Sequence, residues 1–103
     1  MPQGALIMLV LRVLRSESLH GYAIAQRIRQ LSDSVLEAEE GSLYPTLQRM
    51  LMEGWVSAEW GISETKRRVR FYTLTDAGKQ HLKRELAEYR HVTDAIQAIL
   101  RTA

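Results

Sequence analysis

The segment at residues 4–14, which reads GALIMLVLRVL, constrains the fold of this chain more than any other feature. Nearly every position is apolar, so a helix here is hydrophobic on more than one face and must be covered on more than one side. The ten-residue run ALIMLVLRVL is too short to cross a bilayer, and Arg12 interrupts it; a span needs about 20 apolar residues. The sequence therefore predicts a buried helix, partly covered by a second subunit, and no membrane segment.

Length and composition describe an ordinary small folded protein. With 103 residues the chain is expected to form one small domain, for which a shared core with a second copy is a natural supplement. The absence of cysteine excludes disulfides and thiolate chemistry, and it fits a cytoplasmic location. A net charge of +2 indicates no particular partner, so any nucleic-acid argument depends on where the charges lie.

Two more helices are predicted after the first. Residues 20–31 have amphipathic periodicity, and the acidic segment at 32–41 separates them from a third helix over residues 42–53. The apolar residues of the third helix recur at helical spacing and are Leu43, Leu47, Met50 and Leu51. Gly54 is expected to end this helix, because glycine tolerates the positive φ that often follows a helix end.

The second half of the chain predicts a β-hairpin and a long helix. Residues 55–60 and 69–74 are rich in β-branched and aromatic side chains, and the polar stretch GISETKRR separates them. Thr75 can cap a last helix of about 25 residues, whose apolar stripe continues to the chain end with nothing later to pack on.

The order of these elements predicts a mainly α fold with a two-stranded β-hairpin, the winged helix-turn-helix. A hairpin alone is barely stable, so it is expected to pack against the three helices. In this arrangement the third helix is the candidate recognition helix and the hairpin is the wing. Residues 1–75 would form the DNA-binding domain, and residues 76–103 a C-terminal dimerisation helix within the same structural unit.

The third helix offers a polar face for recognition. If Ser42 is the N-cap, Pro45 occupies the third helical position, where its missing N–H costs little. Ser42, Pro45, Gln48 and Arg49 then lie opposite the apolar stripe, and Tyr44 lies on the flank. Their side chains can contact base edges or phosphates, and the free first-turn N–H groups suit a phosphate. The alternative is that this face is simply the solvated side of a surface helix.

The hairpin connection concentrates positive charge. The stretch KRRVR places Lys66, Arg67, Arg68 and Arg70 within five residues, next to two aromatic side chains. Contacts between such cations and phosphates release counterions and supply much of the non-specific affinity for DNA. The alternative is an edge strand that positive charge protects against aggregation.

No pattern in the chain indicates catalysis or metal binding. His20, His81 and His91 are too far apart in sequence to suggest a ligand pair, and no glycine-rich phosphate loop or nucleophile motif is present. Trp55 and Trp60 could line a ligand pocket at a subunit interface, but aromatic residues at a hairpin root more often belong to the core. The sequence therefore predicts neither an enzyme nor a bound cofactor.

Three blocks of the sequence resemble a known family. HGYAIAQRI at 20–28, GSLYPTLQRMLMEGWV at 41–56 and RFYTLTDAGKQHL at 70–82 resemble the signature blocks of the PadR family of bacterial transcriptional regulators, in the same order. The resemblance implies a homodimeric repressor that binds double-stranded DNA at a palindromic operator. The residues assigned to DNA contact are His20, Tyr22, Ser42, Tyr44, Pro45, Gln48, Arg49, Lys66, Arg67, Arg68 and Arg70.

The resemblance also implies an assembly and an effector. A single C-terminal helix, as in the short members, means that dimerisation must depend on this helix and the first one. The expected interface residues are Leu6, Leu9, Val10, Val13, Leu82, Leu86, Tyr89, Val92, Ile96 and Ile99. Members of the family often sense phenolic acids or hydrophobic drugs, although the last helix here lacks the tryptophan that stacks on ligand in some relatives.

Two other functions remain open at this point. One is a winged-helix protein-interaction module that does not bind DNA strongly, which the low net charge and the acidic segment at 33–40 favour. The other is a switch that responds to a small molecule, which would need a cavity at the dimer interface. If the chain does bind DNA, the acidic segment is expected to point away from the phosphates.

Overall fold

Four helices and three short strands make up the computed structural model, which describes residues 3–102. The predicted mainly α architecture with a wing is confirmed. In chain order the elements are α1 Gln3–Ser16, β1 Leu19–His20, α2 Gly21–Leu31, α3 Glu40–Met52, β2 Val56–Ile62, β3 Arg68–Leu74 and α4 Asp76–Leu100.

The apolar helix α1 lies at the centre of the core, as predicted. It contacts α2, α3, β3 and α4, so the chain's own elements cover it on more than one side. Its buried side chains are Leu6, Ile7, Met8, Val10, Leu11, Val13 and Leu14. The burial of these side chains in α1 therefore does not require a second subunit, contrary to the expectation from the sequence.

The sheet has three strands rather than the two of the predicted hairpin. β2 and β3 pair antiparallel, with Trp60 opposite Arg70, and β1 adds to the free edge of β3 through the pairs Leu19–Tyr72 and His20–Phe71. A two-residue strand is too short to show a periodicity, so only its pairing reveals it. His20 consequently lies in β1 and not in the second helix, which begins at Gly21.

The start of α3 differs from the prediction. Glu39 is the N-cap and the helix begins at Glu40, so Ser42 lies inside it and Pro45 is its sixth residue. An N–H at position 45 would have bonded to the carbonyl oxygen of Gly41, so the proline removes a helical hydrogen bond after all. The sequence argument failed because the acidic residues before Gly41 were assigned to a loop, whereas acidic side chains stabilise a helix N-terminus.

The end of α3 agrees with the prediction. Gly54 has a φ of +77°, and the N–H of Trp55 donates to the carbonyl oxygen of Met50 at 3.0 Å. This bond from beyond the glycine back into the last turn satisfies a helical carbonyl that would otherwise have no partner. The chain then turns directly into β2.

The long helix α4 begins at its predicted cap. The N–H of Gly78 donates to the Thr75 hydroxyl at 3.0 Å, and that hydroxyl donates to the carbonyl oxygen of Gly54 at 2.7 Å. Leu82 and Leu86 pack on the core, whereas the C-terminal half of the helix extends beyond it and gives the molecule a longest dimension of 57 Å. Within residues 3–102, no helix has both the length and the apolar character that a membrane span requires.

Candidate nucleic-acid interface

The polar face of α3 is exposed along its length. Ser42, Pro45, Gln48 and Arg49 are all exposed, as predicted, while the opposite side of the helix is buried. The buried side chains are Leu43, Thr46, Leu47 and Met50. Thr46 is the one polar member of that set, and its hydroxyl donates to the carbonyl oxygen of Ser42 at 2.8 Å. The helix is therefore anchored by one side and presents the other to solvent.

Tyr44 is not free on the flank of α3. Its ring lies against Gly21 at the start of α2, where a β-carbon would stand 2.9 Å from the phenol oxygen. Tyr44 remains 47% exposed, so its ring bridges the two helices at the surface. The absence of a side chain at Gly21 makes this contact possible, and the spacing within α3 gives no sign of it.

Three aromatic side chains connect the start of α2 to the wing. The rings of His20 and Tyr22 stack at 6.5 Å with an interplanar angle of 8°, and His20 meets Phe71 edge-on at 5.6 Å. Tyr22 is 64% exposed, and Gln26 donates to its hydroxyl at 3.4 Å. Of the two residues assigned to the second-helix block, His20 thus connects the start of α2 to β3, and Tyr22 lies exposed in the first turn of α2.

The tip of the wing is a tight turn that exposes its cations. Ser63 is buried, its N–H donates to the carbonyl oxygen of Arg67 at 2.9 Å, and the N–H of Lys66 donates to the carbonyl oxygen of Ser63 at 2.9 Å. Lys66 has a φ of +61°, which closes the turn. Lys66, Arg67 and Arg68 are exposed and Arg70 is half-buried. The predicted cluster of positive charge is thus brought together at one end of the molecule.

Trp60 lies on the wing surface and not in the core, contrary to the prediction. It is 60% exposed, and the guanidinium carbon of Arg68 lies 4.5 Å from its ring centroid. Trp55 is half-buried and stacks on His81 at 3.7 Å, and His81 Nε2 lies 3.0 Å from a carboxylate oxygen of Glu85. The two tryptophans therefore have separate surroundings.

The acidic residues before α3 occupy its N-terminus. Glu39 is the N-cap and Glu40 lies in the first turn, both exposed, so two carboxylates flank the free N–H groups that the sequence suggested for a phosphate. Like charges repel, which makes this end of α3 a poor phosphate site. The direction of the acidic segment relative to DNA stays a prediction.

The expected dimer-interface residues fall into two groups. Leu6, Val10, Val13 and Leu82 are at most 7% exposed within the single chain, so their side chains have almost no surface to offer a partner. Leu9 and Leu86 are partly buried. The exposed group lies on α4 and consists of Tyr89, Val92, Ile96 and Ile99, with exposures of 46–71%.

One surface depression in the described part of the chain is small compared with usual effector sites. A depression of about 100 Å³ is lined by Leu6, Glu37, Ala38, Glu39 and Ser42. Sites for drug-sized ligands usually have about 300–1,000 Å³. Across residues 3–102, no three His, Asp or Glu side chains come together in a way that could hold a metal ion.

Comparison with known proteins identifies the family. A family model described as the transcriptional regulator PadR-like family matches residues 10–84. The negative transcriptional regulator PadR of Bacillus subtilis strain 168 is 30% identical over 88 residues, which cover 85% of this chain and 48% of that protein. The chain thus spans about half the length of this relative.

Two solved structures support the same assignment. A transcriptional regulator from Clostridium thermocellum has a TM-score of 0.87 and 26% identity, with 95% of each chain covered. Bacillus subtilis PadR in complex with operator DNA has a TM-score of 0.70 and 33% identity, with 80% of this chain and 47% of that chain covered. Such regulators are not enzymes, in agreement with the sequence prediction. The family model covers the chain from the middle of α1 to the first turns of α4, and the chain belongs to the PadR-like family of transcriptional regulators.

Proposed function

We propose that this chain regulates transcription as a homodimer that binds double-stranded DNA through α3 and the wing, and that it acts as a repressor at a palindromic operator. The observation that carries the proposal is the joint exposure of the polar face of α3 and the cationic wing on a fold whose relative, PadR of Bacillus subtilis, is described in complex with operator DNA.

The exposed face of α3 supplies the groups that base recognition requires. The Gln48 amide and the Arg49 guanidinium can each make two hydrogen bonds to a base edge in the major groove. Neither lies among the buried residues of α3, so both are available to a groove. Ser42 and Pro45 add a small polar and a small apolar contact on the same face. Because its N-terminus is acidic, α3 would contact DNA with this face and not with its end.

The wing supplies positive charge for the phosphates. Lys66 and Arg67 lie at the exposed turn and Arg68 begins β3, so three cations stand at the tip of the hairpin. Each phosphate contact releases condensed counterions and makes the affinity depend on salt. His20 and Tyr22 would contact the DNA backbone from the start of α2, as the family resemblance implies.

A second copy of the chain would cover the apolar stripe of α4. Tyr89, Val92, Ile96 and Ile99 recur at helical spacing and are exposed, and such a stripe is unfavourable in water unless another surface covers it. For the dimer to bind one face of the duplex, its two copies of α3 would have to lie on the same side of the assembly. The two half-sites of the operator would then lie about 34 Å apart, which is one helical turn of DNA.

The cytoplasm, where bacterial DNA is found, is the expected place of action. A small hydrophobic or phenolic effector would require a cavity formed between two subunits, since the depression in the single chain is small. Binding of such an effector is tested separately by measuring Tm with and without a phenolic acid, because a ligand that binds the folded state raises Tm.

The proposal is tested by gel-shift titration with DNA from upstream of the protein's own gene. We expect a shift at low salt and micromolar protein, and a loss of discrimination against scrambled DNA in the Gln48→Ala/Arg49→Ala variant. The matched control is Arg29→Ala/Gln30→Ala, which removes the same two side-chain types from exposed positions of α2. No shift by the wild-type protein would rule out the proposal and favour a protein-interaction module.

A further inference from the structure

An aromatic platform for two arginines lies on one face of the wing. Trp60 pairs with Arg70 across β2 and β3, and Arg68 lies two residues along β3, which places it on the same face. The guanidinium carbons of Arg68 and Arg70 lie 4.5 and 5.8 Å from the Trp60 ring centroid. One indole therefore contacts both cations.

The core does not explain this tryptophan. Its side chain is 60% exposed, and it belongs neither to the buried cluster nor to the residues packed against that cluster. An exposed indole at this position adds nothing to the interior of the domain and exposes apolar surface to water. Its cation–π contacts are with Arg68 and Arg70.

The guanidinium carbons of Arg68 and Arg70 lie near the Trp60 ring, and their N–H groups have no hydrogen-bond partner among the described residues. These N–H groups form a planar fork that fits phosphate oxygens. Within the described part of the chain, the ion pairs join other residues and no carboxylate neutralises Arg68 or Arg70. Glu59, the neighbour of Trp60 in β2, faces the opposite side of the strand.

We propose that Trp60 is a positioning residue that holds Arg68 and Arg70 in one orientation for paired contact with the phosphates of duplex DNA. The inference rests on the proposed DNA-binding function and names a residue on which that function depends. An arginine side chain has many rotamers, and fixing them opposes binding. The indole restricts these rotamers before DNA arrives, so less entropy is lost in the complex.

Three single variants test whether Trp60 positions the arginines or whether any loss of an exposed apolar side chain weakens binding equally. Trp60→Ala removes the aromatic ring without changing the charge. A cation–π contact at an exposed site changes an equilibrium by about two- to fivefold. Because a dimer has two wings, we expect the variant to bind DNA about tenfold more weakly than wild type. Trp60→Phe keeps an aromatic ring and should restore binding to within about threefold of wild type. Val35→Ala is the control, because Val35 is an exposed apolar residue outside the wing and should change binding less than twofold.

A double-mutant cycle then decides whether Trp60 acts through the arginines. In the Arg68→Ala/Arg70→Ala background, Trp60→Ala should weaken binding no further, because the groups that it positions are gone. An equal loss in both backgrounds would mean that the indole contacts DNA directly, and the inference would be wrong. An equal loss for Trp60→Ala and the control Val35→Ala would also overturn it.

The same titrations distinguish this inference from the proposed function. If the wild-type protein binds DNA and Trp60→Ala binds as tightly, the positioning role is wrong and the proposed function stands. If the wild-type protein does not bind DNA, both are wrong. Thermal unfolding of each variant checks the fold, and because the indole is mostly exposed we expect Tm to change little.

Discussion

The backbone carbonyl oxygen of Trp55 lies against the α-carbon of Gly78, in the space that a β-carbon would occupy. The same oxygen accepts the N–H of Thr75 at 3.1 Å, so it cannot move away without breaking the bond that holds the start of α4. We expect Gly78→Ala to reduce the free energy of unfolding by about 2–3 kcal/mol, since overpacking against backbone is not relieved by a rotamer change. Urea denaturation at constant protein concentration measures it.

The control for this prediction is Gly41→Ala. Gly41 is also a helical glycine, but nothing lies within 4 Å of the position of its added β-carbon. Alanine is the better helix former, so this variant should be neutral or more stable by up to about 1 kcal/mol. Equal destabilisation at both positions would show that the Trp55 carbonyl is not the cause.

The contact between Tyr44 and Gly21 predicts a coupled pair of substitutions. Gly21→Ala places a β-carbon 2.9 Å from the Tyr44 ring, but the ring can rotate outward, so we expect a loss of only about 1 kcal/mol. In a Tyr44→Ala background the same change should cost nothing, because the obstructing ring is absent. Thermal unfolding of the four proteins of this cycle measures the coupling, and additive effects would contradict the contact.

Pro45 is expected to reduce the stability of α3. It is the sixth residue of the helix, and a proline in a helix interior costs about 3 kcal/mol by removing a hydrogen bond and crowding the preceding turn. Pro45→Ala restores an N–H that can donate to the carbonyl oxygen of Gly41. We expect a gain of about 1–3 kcal/mol in urea denaturation.

The neighbouring change Ser42→Ala serves as the control for Pro45. Ser42 is exposed on the same helix, and alanine improves its helix propensity by only about 0.5 kcal/mol. A gain for Pro45→Ala no larger than that for Ser42→Ala would mean that the proline is accommodated without cost.

The wing predicts a defined salt dependence. If Arg67 neutralises one phosphate in each half-site, Arg67→Ala should lower the slope of log K against log salt by about 0.9 per subunit, or about 2 for a dimer, and weaken binding to all sequences similarly. Lys83→Ala removes one positive charge from an exposed position of α4 and should leave the slope unchanged. Fluorescence anisotropy at several salt concentrations measures both, and the same slope change in the two variants would exclude a local contact.

The exposed stripe of α4 predicts the state of assembly. Ile96→Glu places a charge in the centre of the stripe, and a buried unpaired charge strongly opposes association, so we expect the dimer to become a monomer at micromolar concentration. Ala98→Glu introduces the same charge away from the stripe and should leave the dimer intact. Sedimentation velocity distinguishes these outcomes, and a monomeric wild-type protein would contradict the role given to α4.

Much of the architecture could be predicted because its signals are local. The apolar run of α1, the stripe of α4, the cap at Thr75 and the positive φ at Gly54 each depend on residues within a turn or two of one another. The concentration of charge between residues 66 and 70 is likewise a property of adjacent positions. Helix periodicity and turn chemistry are enough to find such features without a structure.

The exposure of the polar residues of α3 could be predicted from the sequence, whereas their role in DNA contact stays a prediction. The exposed face of α3 follows from counting residues around a helix, whereas the start of that helix was misplaced because its acidic N-cap Glu39 resembles loop sequence. Trp60 was assigned to the core because aromatic residues usually belong there. Trp60 lies on the same face of β2 as the buried Val56, but farther along the strand, where the core no longer covers that face. The alternation of apolar and polar residues in β2 identifies the face and does not show where the core ends.

The sequence by itself determined the fold class, the family and the regions that carry positive charge, because these depend on residue types and short spacings. The tertiary structure alone decided that Tyr44 lies on Gly21, that β1 adds a third strand and that Arg68 lies next to the Trp60 ring. These contacts join residues far apart in the chain or across a strand pair. Their geometry results from packing all elements around one core, a constraint that no local pattern contains.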